Sequence, residues 1–156
     1  QRVGMADEVT EPLVRTVLER TPEWESAPKE RLAFFAPYLG HEHPQVRDVA
    51  HIEVARAPSD EIKALGAILP REELHAFLGN FRYTEWHALY ILLLAQSGEV
   101  EDREMIAESV RSAAKFGTTY NLAAWVTAWI EVAPEEGMAF VAAESLENPG
   151  RSEDEM

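Results

Sequence analysis

The chain holds no cysteine, which removes disulfides, thiolate metal sites and cysteine nucleophiles together and leaves the compartment open. It is also short of positive charge: 14 Lys and Arg face 28 Asp and Glu, a formal net charge of −14. Nucleic-acid binding rests on Lys and Arg displacing counterions from phosphates, and no basic stripe offsets this acidic surplus. Neither nucleic acid nor an acidic membrane surface is therefore an expected partner. Long hydrophobic runs are missing too. The strongest, Ala88 to Ala95, falls far below the ~20 residues of a membrane-spanning helix, so no membrane insertion is expected. The first residues lack an apolar signal-peptide core. The opening Gln1-Arg2-Val3-Gly4 has no initiator methionine, which carries the expectation of an excised piece whose targeting signal lies elsewhere; localisation stays unassigned.

What is present is ordinary globular composition, 46% hydrophobic and 27% charged over 156 residues, enough for one continuous core. Apolar residues recur with the 3.6-residue period of helices and nowhere alternate long enough for a sheet, so the expected fold is all-α, with about eight helices. We expect a flexible N-terminal arm over 1–9, a helical-repeat domain over 10–148 and an acidic disordered tail over 149–156.

The first helix is expected from Thr10, with a Val9–Val14 staple and a buried stripe of Leu13, Val14, Val17 and Leu18. Thr21-Pro22 would end it and leave Trp24 in the link. Pro28 opens the second, whose interior Pro37 predicts a kink among Leu32, Phe35, Ala36 and Leu39. Pro44 starts a third, through about Ala57. A short piece from Ser59 leads through Ile68 and Leu69 to Pro70 and a helix bearing Leu74, Phe77 and Leu78, with a left-handed exit at Gly79-Asn80. Thr84 is expected to cap a helix that is apolar nearly all round, Trp86 through Leu94, and hence central. Glu101 and Asp102 suit the positive end of the next helix dipole, Met105, Ile106, Val110 and Ala113 face inward, and Gly117 ends it. Thr118-Thr119 would cap a helix with Leu122, Val126, Trp129 and Ile130. The last opens at Pro134, faces inward through Met138, Val141, Ala142 and Leu146, and stops at Asn148-Pro149-Gly150.

Helices joined by short, proline- or glycine-bounded links suggest stacked antiparallel hairpins. The segment Pro28 to Ala57 resembles a HEAT repeat: a first helix with interior Pro37, a short link, then Pro44-Gln45-Val46-Arg47-Asp48-Val49-Ala50 opening the second. Val46, Arg47 and Ala50 match the Val-Arg-x-x-Ala core, with Val54 at a large aliphatic position. Glu53 departs from the pattern and invites a pair with Arg56 or Arg47. Thr84 to Lys115 and Thr119 to Leu146 fit by helix length and spacing, without the Val-Arg signature. The resemblance implies an α-α superhelix that serves as a protein-binding scaffold, although fold alone does not establish function.

Catalytic and metal chemistry find little footing. His41 and His43 flank Glu42 in a link, with His51 in the following helix, but the spacing meets no recognised ligand pattern and capping or solvation is the expected role. No metal site and no cofactor is assigned. Glu85, His87 and the Glu72-Glu73-Leu74-His75 run offer acid and base groups without a visible nucleophile or orienting partner, so no catalytic residue is assigned and the reading leans away from an enzyme. Glu99 to Glu104 lacks the alternating ligands and glycine of a calcium loop, which favours a charged helix start.

Of the four tryptophans, Trp86 and Trp129 lie on inward stripes, whereas Trp125 with Tyr120 is expected either to form an aromatic strip at a hairpin edge or to pack on the last helix. Tyr120, Trp125 and His87 are the candidate partner-binding residues. The expected function is a non-enzymatic interaction scaffold or assembly module whose acidic surface receives a basic protein. The alternatives are a small-molecule-binding or catalytic domain with a pocket between hairpins near Trp86, His87 and Tyr120, and a structural repeat segment cut from a longer chain. Oligomeric state is left open.

Overall fold

In the computed structural model, residues 8–117 and 120–143 are described. Among them every regular element is helical: α1 (Thr10–Trp24), α2 (Pro28–Phe35), α3 (Pro44–Ala55), α4 (Ser59–Gly66), α5 (Arg71–Leu78), α6 (His87–Leu94), α7 (Val100–Phe116), α8 (Leu122–Val132) and α9 (Pro134–Val141). Short 3₁₀ turns cover Ala36–Tyr38 and Phe81–Trp86. The expected Thr118-Thr119 cap, Leu146, the Asn148-Pro149-Gly150 stop, the tail and most of the arm lie outside the described residues. No helix among those described is long and apolar enough to cross a membrane. Among the described residues the α-helices number nine, where about eight were expected, because Pro70 adopts φ −59°, ψ 125°, a non-helical ψ that separates α4 from α5.

The contacts divide the chain into two compact units, one through Ile62 and one from Lys63. In the first, α1, α2 and α3 pack on one another around Trp24, Phe35, Leu39, Val46, Ala50 and Val54. Trp24 lies 5.1 Å from the Phe34 ring and 5.7 Å from that of Phe35, tilted in both cases. Contrary to the sequence expectation, α1 continues through Pro22 and carries Trp24 in its last turn. The expected stripe is also rotated: Val14 is 46% and Leu18 72% exposed, while Leu13 and Trp24 are buried. The inward line therefore runs from buried Leu13 through half-buried Val17 to buried Trp24, a narrower seam than four adjacent aliphatics suggested, because one side of α1 alone meets α2 and α3. Val9, beside it, is as exposed as Val14. Pro37 tightens the chain into a 3₁₀ turn, which needs no hydrogen bond from the proline nitrogen.

In the second unit, α6 is the hub. Leu89, Tyr90, Ile91, Leu93 and Leu94 are all buried, each worth about 1.5–3 kcal/mol if fully withdrawn from water. Phe77 of α5 stacks on Tyr90 at 4.3 Å, and α8 packs against α6, α7 and α9. Ile91, Ala95, Ile106, Ala107, Val110, Ala128 and Trp129 share one apolar cluster. Gly117 ends α7 at φ 64°, the left-handed conformation that glycine adopts without steric cost. Gly137 permits α9 to cross α8 closely, since a Cβ there would sit 2.9 Å from the Ile130 backbone.

Three more expectations are corrected here. Gly79 has φ −77° and exits α5 right-handed. Thr84 caps no α-helix: its hydroxyl donates to the Phe81 carbonyl within the 3₁₀ turn, and α6 begins only at His87. Met138 is 54% exposed, because the close approach at Gly137 turns that flank of α9, not Met138, toward α8.

Candidate functional site

The outward face of α7 and the start of α8 bound an open cleft of about 460 Å³ lined by Met105, Glu108, Ser109, Ser112, Ala113, Tyr120 and Trp125. Helical spacing explains the α7 contribution, since residues 105, 108, 109 and 112 fall on one face. On the other side, Asn121 at φ 53° makes the left-handed turn that starts α8, and Trp125 follows one turn later. The Trp125 amide donates to the Asn121 carbonyl at 3.0 Å. Tyr120 is fixed although 53% of it is exposed: its hydroxyl donates to the Thr84 carbonyl at 2.5 Å. The His87 ring meets the Tyr120 ring edge-on at 6.4 Å, and His87 Nε2 donates to the Asn80 carbonyl at 3.3 Å. The three candidate residues thus occupy neighbouring positions: Tyr120 and Trp125 line the cleft, and His87 buttresses Tyr120 from outside it. Trp125 also packs in part on the apolar cluster.

The most concentrated polar chemistry lies at the other end of α7 and was not anticipated. Asp102, 1% exposed, accepts from Arg71 Nε and Nη2 at 2.8 Å each, from His75 Nε2 at 2.8 Å and from Ser97 Oγ at 2.7 Å. Burial by itself would raise the Asp102 carboxyl; hydrogen bonds from Arg71, Ser97 and His75, and the Arg71 charge, outweigh it and hold the group below the usual carboxylate range. The same bond raises Arg71 above its ordinary value. Ser97 and His75 reach different oxygens of one carboxylate, so the Ser97 hydroxyl proton points to Asp102 and not to imidazole. A nucleophile–base relay needs the opposite order. The cluster therefore locks α5, the α6–α7 link and α7 together. Its sequence signal was available: Asp102 lies on the line of Ile106, Val110 and Ala113, an acid on an inward stripe, and Arg71 and His75 share a helix face.

The link histidines are engaged with backbone. His41 Nδ1 accepts from the His43 amide at 3.1 Å, Arg47 Nη1 donates to the His41 carbonyl at 3.2 Å, and buried His51 donates through Nδ1 to the Arg47 carbonyl at 2.8 Å. Among the described residues no group of three or more His, Asp or Glu is placed to hold a metal ion. Glu53 pairs with Arg31 and, at 3.5 Å, with Arg56, whereas Arg47 turns to the link. Glu72, Glu73 and Glu85 are exposed, with no ion pair to His75 or His87 among the described residues.

A further cleft of about 550 Å³ runs along α7 beside Trp129 and the α8–α9 link, with Arg111 stacked over Trp129 at 5.1 Å. In the first unit a hollow of about 300 Å³ is lined by Trp24, Arg31 and Glu53. Fold and clefts together define an all-helical protein with shallow, mixed polar and aromatic surfaces. No family model, curated protein or solved structure matches the chain.

Proposed function

We propose that the chain is a non-enzymatic protein-interaction scaffold or assembly module of HEAT-like helical-repeat type, whose acidic surface receives a basic protein. One observation carries this reading: Tyr120 and Trp125 line an open cleft whose lining has Glu108 as its single charge. An exposed Tyr120 and a half-buried Trp125 beside a solvent-open acid with one long pair to Arg111 suit the side chains of another protein better than an enclosed small ligand. The net charge of −14 would draw a basic partner by long-range attraction and repel an acidic one. The HEAT-like assignment draws support from α3, where the motif residues Val46, Ala50 and Val54 are buried against the helix that precedes them.

Selection of a displayed random-peptide library on the intact chain tests the reading. It expects enriched peptides whose binding is weakened by Trp125→Ala while the far-ultraviolet dichroism stays helical. A selection that enriches nothing, alongside small fragments that bind tightly in the same cleft, would replace the scaffold with a ligand-binding domain.

A further inference from the structure

Twice among the described residues an arginine lies over a tryptophan with a carboxylate at its side. In the first unit, the Arg20 guanidinium sits 5.1 Å from the Trp24 ring, with Glu30 at 3.2 Å and Glu23 at 3.5 Å. In the second, the Arg111 guanidinium sits 5.1 Å from the Trp129 ring, with Glu108 at 3.9 Å. The cleft between α7 and α8 holds the same two components, Trp125 and Glu108, with Tyr120 added, and no arginine or lysine among its lining residues.

The missing component defines a ligand. An aromatic face attracts a cation through its quadrupole, and a guanidinium does so while its planar edge remains free to donate. Acceptors for that edge are at hand: the Glu108 carboxylate, whose side chain is 74% exposed, and the Ser112 and Ser109 hydroxyls, of which Ser109 donates its own proton to the Met105 carbonyl at 2.8 Å and keeps its lone pairs. The long Glu108–Arg111 pair is a surface contact of small energy and yields readily to a better-placed cation. The Tyr120 ring is held in place by its bond to Thr84, so little order is lost when a partner arrives.

We infer that this cleft receives an arginine side chain of a basic protein partner, its guanidinium against Trp125 and Tyr120 with Glu108 as counter-charge. The inference rests on the scaffold reading above and narrows it to one partner chemistry.

The test compares a blocked arginine-containing peptide with its citrulline counterpart, which keeps the planar shape and loses the charge, by isothermal titration on the intact chain. The arginine peptide is expected to bind at least about fivefold more tightly. Glu108→Gln is expected to weaken it about threefold and Trp125→Ala about fivefold. Glu19→Gln removes the same charge from an exposed position on α1 and should leave binding unchanged. Glu108 is a surface residue, so its variant stays informative even if Trp125→Ala fails to fold. Equal binding of the citrulline peptide, or an equal loss in Glu19→Gln, would overturn the arginine site; if library-selected peptides still bound through Trp125, the scaffold reading would survive it. No binding of either the arginine or the library peptides would overturn both.

Discussion

On its inward face α7 carries Asp102, buried and ringed by Arg71, His75 and Ser97; on its outward face it carries Glu108, open to water with one long pair to Arg111. The two acids belong to one helix and differ in what surrounds them. Around Asp102 every donor is already supplied by the fold, so the cluster spends its chemistry on holding helices together. Around Glu108 the acceptors and rings outnumber the donors, which is the condition for recognising something else. In this chain the saturated acid marks structure, and the open one marks the surface where we propose that a partner binds.

The sharpest way to break the comparison is to empty the inward site. Asp102→Ala should destabilise the fold by about 2–3 kcal/mol, as several charge-assisted bonds are lost, measured by urea unfolding. Arg71→Met should also destabilise, since it strands the buried carboxylate; a neutral result in both variants would remove the lock.

Acid should erase the difference between wild type and Asp102→Ala. The folded Asp102 titrates below its unfolded value, so its contribution is fully present above about pH 4 and is lost as pH falls through the lower folded value. The gap in Tm between the two proteins should therefore shrink below about pH 4. A gap that stays constant there would mean that Asp102 acts through packing and not through charge.

On the other face smaller effects are expected. Tyr120→Phe removes the hydrogen bond to Thr84 and should cost about 1 kcal/mol of stability. Glu108→Gln should change stability by less than about 0.5 kcal/mol, the usual range for a surface substitution. A loss at Glu108 as large as that at Asp102 would collapse the distinction between the two faces.

Sequence legibility followed the same division. The apolar run of α6 announced the hub, because a helix greasy on every side has nowhere to go but inward. Val46, Ala50 and Val54, singled out by the HEAT resemblance, are all buried. Tyr120, Trp125 and His87 were readable as candidates because large aromatics near a link meet neighbours from both sides. Asp102 does stand in the first turn of α7, as its dipole role requires, but local sequence did not show its cluster, because Arg71 and His75 come from α5, about thirty residues earlier. Val14, Leu18 and Met138 failed for the converse reason, since periodicity says which residues share a face and not whether another helix covers it. Thr84 failed because a 3₁₀ turn consumed its hydroxyl before the α-helix began.

Nitrogen-edited NMR of the chain titrated with the arginine-containing peptide tests the central claim most directly. The account predicts shifts concentrated at Glu108, Ser112 and Tyr120 and at the Trp125 indole, with Asp102, His75 and the α1 amides unmoved. Shifts centred on the Asp102 cluster or spread evenly over the acidic surface would contradict it.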